Sequence, residues 1–114
     1  MKRILVVDDD PTARYSVSRL LTSVGFDVAS APDYLSALQE LDKHECKLLI
    51  ADVVMPKGVN GFALARMAQM RQRDLKVMFI TGYDVQTDEA TGTVLRKPFT
   101  DRTLLDNVEA LLAA

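Results

Sequence analysis

The chain has 114 residues, 48% of them apolar and 26% charged, which is room for one packed domain and the composition of an ordinary globular protein. A formal net charge of −2 argues against a polyanionic partner held by bulk electrostatics, so no nucleic-acid binding is expected. No apolar run approaches the ~20 residues of a membrane-spanning helix, and Met1-Lys2-Arg3 leads into a strand-like run instead of a signal core, so a cytoplasmic protein with no membrane partner is expected.

The first apolar run, Ile4-Leu5-Val6-Val7, reads as a strand and ends in Asp8-Asp9-Asp10. Asp10 then caps a helix with Pro11 at its first position, an inward stripe of Ala13, Val17, Leu20, Leu21 and Val24, and Gly25 as its stop. Phe26-Asp27-Val28-Ala29 is a weaker strand, expected at an edge of the sheet. A second helix is expected from Asp33 to Lys43 with Leu35, Leu38 and Leu41 inward. His44 and Cys46 follow; a lone imidazole and a lone thiol without ligand spacing support neither zinc binding nor a disulfide.

Leu48-Leu49-Ile50-Ala51 is the third strand and releases Asp52 at its end. A third helix starts at Asn60-Gly61 and turns Phe62, Ala65 and Ala68 inward. Val77-Met78-Phe79-Ile80 ends in Thr81, and Thr93-Val94-Leu95 ends in Arg96-Lys97-Pro98. The last helix begins near Asp101 and buries Leu104, Leu105, Val108, Leu111 and Leu112. Four of the strand runs are continuously apolar, as in parallel sheets covered on both faces, and short alternating elements imply right-handed crossovers in a doubly wound α/β domain.

Such sheets bind ligands at the carboxyl ends of their strands. There the chain places Asp8, Asp9, Asp10, Asp52, Thr81 and Lys97. Each alone has a plain explanation as a cap, turn or surface residue. Together they call for a cation, because two carboxylates ~4 Å apart repel by about 4 kcal/mol near a protein surface. Oxygen ligands without histidine or thiolate favour a hard ion such as Mg²⁺. Asp52, standing alone on a central strand, is the candidate nucleophile for phosphoryl transfer, with Thr81 and Lys97 serving the phosphoryl oxygens.

Leu5-Val6-Val7-Asp8-Asp9, Asp52-Val53-Val54-Met55-Pro56 with Gly61, Thr81-Gly82 and Lys97-Pro98-Phe99 resemble the signature blocks of the CheY-like receiver domains of response regulators, over nearly the full chain. The resemblance implies a flavodoxin-like five-stranded parallel sheet of order 2-1-3-4-5. It implies phosphorylation of Asp52 by a histidine kinase or histidine phosphotransfer protein. Mg²⁺ would be bound directly by Asp9, Asp52 and the Val54 carbonyl, and through water by Asp8. It further implies that Thr81 and Lys97 engage the phosphoryl group, and that the chain is a switch rather than an enzyme with turnover; its output is expected through contact with a downstream protein target or as a phosphoryl relay.

Two positions depart from the family pattern. Val94 stands where many receivers carry an aromatic switch residue, and the stretch from Gly82 to Gly92 is polar and short for a full fourth helix. Phe79-Ile80-Thr81-Gly82-Tyr83 is similar to stand-alone receivers of the CpdR type, regulators of proteolysis. The bulk of Val54 and Tyr83 is expected to slow hydrolysis of the phosphoryl group, and phosphorylation is expected to order residues 82 to 92. Leu111-Leu112-Ala113-Ala114 is either a plain helix end or a protease-recognised tail.

Two other readings stay open at this stage. Asp8-Asp9-Asp10-Pro11-Thr12 also fits haloacid-dehalogenase-type phosphatases, with Asp8 as nucleophile and Asp10 as acid-base residue. A docking-only module that has lost phosphorylation is the other.

Overall fold

A computed structural model describes residues 3–55, 59–82 and 92–114. Five strands, β1 (Arg3–Val7), β2 (Asp27–Ala31), β3 (Leu48–Asp52), β4 (Lys76–Thr81) and β5 (Thr93–Arg96), form one parallel sheet in the order β2-β1-β3-β4-β5. The expected edge position of β2 is what the sheet adopts, although β2 begins one residue later than expected and extends to Ala31. The helices among the described residues are α1 (Pro11–Ser23), α2 (Tyr34–Lys43), α3 (Gly61–Arg71) and α4 (Asp101–Ala113). The shortened or irregular helix expected between Gly82 and Gly92 lies outside the described residues, as do Tyr83 and Pro56.

Alternation along each strand divides the apolar core in two. Leu5, Val7, Leu49, Ala51, Val77 and Phe79 pack on one face against Ala37, Leu38 and Leu41 of α2 and Phe62, Leu64, Ala65 and Ala68 of α3. Ile4, Val6, Leu48, Ile50, Met78, Ile80 and Leu95 face the other way, toward Leu21 of α1 and Leu104 and Val108 of α4. The runs read as continuous because successive residues serve opposite faces of a sheet covered on both sides.

Each helix starts on a side-chain cap. Asp10 accepts the Thr12 amide at 3.1 Å, Asp33 the Ser36 amide at 2.8 Å, Asn60 the Ala63 amide at 2.9 Å and Thr100 the Thr103 amide at 3.1 Å. At the end of α1 the Gly25 amide donates to the Thr22 carbonyl and the Phe26 amide to that of Leu21, with Gly25 at φ 102°. This is the Schellman pattern, whose left-handed residue glycine adopts without a Cβ penalty.

Two inward assignments are corrected. Val24 is 51% exposed because it caps α1 instead of continuing its stripe, and Leu35 is 55% exposed. At ~100° per residue, Leu35 lies a quarter-turn around the helix from Tyr34, which packs with Ala37, Leu38 and Leu41 in the core.

Candidate functional site

The carboxyl ends of β1, β3, β4 and β5 meet at one rim. Asp8 follows β1, and its amide donates to the Ala31 carbonyl at 3.3 Å, which continues the β1–β2 ladder beyond the last strand residue. Asp52 is the last residue of β3, paired in register with Ile80. Just past it, the Val53 amide donates to the Ile80 carbonyl at 3.0 Å and the Gly61 amide to the Val53 carbonyl at 2.8 Å, so Val53, next to Asp52, is tied to β4 and to the start of α3. A Cβ on Gly61 would collide with the Asp52 backbone carbonyl; only glycine lets α3 start this close to the strand.

Within that frame Asp8, Asp9 and Asp52 each bring a carboxylate oxygen to within 4.8 Å of the others, the one such acidic, histidine or cysteine group among the described residues. Lys97 enters from the end of β5, where its amide donates to the Thr81 carbonyl at 2.8 Å. Its Nζ lies 3.9 Å from Asp8 Oδ2 and 4.0 Å from Asp52 Oδ2. Thr81 is fully buried at the end of β4. Asp8 is buried, Asp52 half-buried and Asp9 exposed, so the cluster grades from protein interior to solvent.

Burial holds the carboxyl groups of both Asp8 and Asp52 above the usual carboxylate range. For Asp8 the neighbouring Asp52 and Asp9 push the same way, against the Asp10 amide and Lys97; for Asp52 it is Asp9, against Lys97 and the Val54 and Val53 amides. The Lys97 ammonium opposes burial at both groups without cancelling it.

Other expected residues sit as follows. Val54 is 53% exposed beside the cluster, and its amide donates to Asp52 Oδ1 at 3.3 Å. Asp10, the acid-base residue of the phosphatase reading, spends its carboxylate on capping α1, and its own amide donates to Asp8 Oδ1 at 3.0 Å. Val94 is half-buried against the α2 and α3 core. His44 is exposed just past α2, and Cys46 is buried, its thiol pushed up to about 11 by burial.

One residue at the rim carried no signal in the sequence. Arg14 of α1 reaches back and donates through Nη1 to the Asp8 carbonyl at 2.8 Å. A groove between α1 and α4, lined by Val17, Leu20, Phe99 and Leu104, opens onto Asp8 and Lys97. No helix of the described residues is long and apolar enough to cross a membrane.

Comparison with known proteins agrees with this geometry. The family model described as "Response regulator receiver domain" matches residues 4–109. The response regulator receiver protein CpdR of Brucella abortus is 37% identical, over 100% of this chain and 99% of that protein. Among solved structures, the receiver domain of the hybrid histidine kinase CckA is 36% identical with a TM-score of 0.85, covering 96% of this chain and 98% of that one. The response regulator TrrA of Thermotoga maritima, solved in complex with Mg²⁺ and BeF, is 30% identical with a TM-score of 0.84, covering 97% of this chain and 99% of that one. The chain spans about half the length of several other curated relatives that it matches. The sheet order, the rim chemistry and these matches together make the chain a member of the response regulator receiver family of two-component systems.

Proposed function

We propose that this receiver is a phosphoacceptor switch in which Asp52 takes a phosphoryl group from a histidine kinase or histidine phosphotransfer protein, in the presence of Mg²⁺, and signals by contact with a downstream protein. The observation that carries the reading is the convergence of Asp8, Asp9 and Asp52 within 4.8 Å, with the Lys97 ammonium about 4 Å from two of them. An all-oxygen donor set in a partly buried, self-repelling cluster fits a hard divalent cation. Asp9, Asp52 and the Val54 carbonyl would hold it directly and Asp8 through water. Bound there, Mg²⁺ supplies the charge that offsets the carboxylates and the phosphoryl oxygens.

The chain's own groups then divide the work. A carboxylate oxygen of Asp52 attacks phosphorus in line, forming an oxygen–phosphorus bond as the bond from phosphorus to the donor imidazole nitrogen breaks. The nitrogen leaves with the electron pair and the histidine returns to its neutral form. Lys97 is placed to pair with a phosphoryl oxygen, and the Thr81 hydroxyl to donate to another. Hydrolysis by water returns Asp52 and inorganic phosphate.

The 37% identity to the receiver protein CpdR, over 99% of that protein, supports reading the chain as a response regulator receiver of this kind. Intact mass after incubation with acetyl phosphate and MgCl₂ tests the chemistry. One phosphoryl adduct is expected on the wild type and none on Asp52→Asn or after chelation. An adduct of equal yield with the metal chelated would overturn the proposed site.

A further inference from the structure

Arg14 lies beside the acidic cluster with no part in the chemistry proposed above. From the first turns of α1 its guanidinium crosses the β1–α1 turn and donates to the Asp8 carbonyl at 2.8 Å. Asp8 is held at two further points: its amide donates to the Ala31 carbonyl at 3.3 Å, and its Oδ1 accepts from the Asp10 amide at 3.0 Å. The carbonyl that Arg14 grips belongs to the peptide joining Asp8 to Asp9. Because that peptide is planar, fixing its oxygen fixes the direction in which Asp9 leaves the chain. Asp9 is exposed, so its carboxylate takes its place from the backbone beneath it. The anchor is also local to the turn, since the Arg14 amide bonds the Asp10 carbonyl at 2.9 Å and so seats the arginine on the first turn of the helix that Asp10 caps.

We infer that Arg14 is a positioning residue for the divalent cation. Its hydrogen bond holds the Asp8–Asp9 peptide so that both carboxylates converge on Asp52 before the ion arrives. The inference rests on the reading of the cluster as a Mg²⁺ site. Groups that orient metal ligands typically change affinity by about 10- to 100-fold when removed.

The test is calorimetric titration of metal-free protein with MgCl₂, without phosphodonor and well below the melting temperature, for wild type, Arg14→Met and Arg14→Lys. Methionine keeps most of the apolar stem and loses the donor, so about tenfold weaker binding is expected. Lysine keeps a donor and the charge and is expected to recover to within roughly threefold of wild type. In acetyl phosphate labelling the Mg²⁺ concentration for half-maximal rate should rise in parallel in the methionine variant, with most of the loss recovered at saturating Mg²⁺. Arg14→Met binding Mg²⁺ as tightly as wild type overturns the inference, as does a labelling loss that saturating Mg²⁺ leaves in place. A wild type that binds no Mg²⁺ overturns the site reading itself, and this inference with it.

Discussion

At the scale of single residues, the charge on Asp52 is a cost to the fold until something neutralises it. Its carboxyl and that of Asp8 sit above the usual range because burial disfavours the charged form. A carboxyl raised in the folded state contributes stability that is complete below its unfolded value and is lost as pH rises through its folded value. Metal-free wild type should therefore lose stability on the alkaline side of the carboxylate range. Asp52→Asn removes one of the repelling charges and should melt higher in metal-free buffer, by about 1 kcal/mol or roughly 4 °C after allowance for screening and for the lost Lys97 contact. Thermal melts at about pH 7.5 and about pH 4.5 check the sign, because the gain should shrink as pH falls toward the raised folded value of Asp52. An equal gain at both values would mean that the charge is not its source. Arg14 belongs to this scale too, and its contact with the Asp8 carbonyl was invisible in the sequence because nothing local to an exposed-looking arginine on a helix says which way it turns.

At the scale of elements, capping and periodicity were readable, and tertiary contacts were not. Asp10, Gly25 and Asn60 act at their own helix ends, so a few neighbouring residues suffice to foresee them. Leu35 was misplaced because apolar spacing alone leaves the inward face of a ten-residue helix undecided by about one position. Gln72 gave no signal at all, yet its side chain accepts from the Cys46 amide at 2.8 Å and donates to the carbonyls of Leu41 at 2.8 Å and His44 at 2.9 Å. One amide thus clamps the end of α3 to the α2–β3 connection, across partners 26 to 31 residues away. Gln72→Ala removes all three of these bonds and should cost about 2 kcal/mol in urea unfolding. Because these contacts sit before the amino ends of β3 and β4, away from the carboxyl rim that holds Asp52, the acetyl phosphate adduct should form as in wild type; a loss of adduct in folded protein would contradict that separation.

At the scale of the whole molecule, the parallel sheet gathers residues from positions 8 to 97 of the chain onto one rim. The strand-end acids, the hydroxyl and the lysine could all be listed from the sequence, but only the register joins them, with Asp52 opposite Ile80 and Lys97 tied to the Thr81 carbonyl. An ion that binds only the folded arrangement stabilises all of it by mass action. Mg²⁺ at about 100 times its dissociation constant should add about 2.7 kcal/mol, roughly 10 °C in melting temperature, and a chelator should remove it. With saturating Mg²⁺ the order of wild type and Asp52→Asn should reverse, since the variant lacks one ligand; a shift of the same size in both would place the ion elsewhere.

In the proposed switch Asp52 itself carries the phosphoryl group. Borohydride reduces an acyl phosphate to an alcohol and so marks the carboxylate that held it, which peptide mapping by mass spectrometry then locates. After acetyl phosphate and Mg²⁺, homoserine is expected at position 52 and unmodified aspartate at positions 8, 9 and 10. Homoserine at position 8 with Asp52 intact would contradict it.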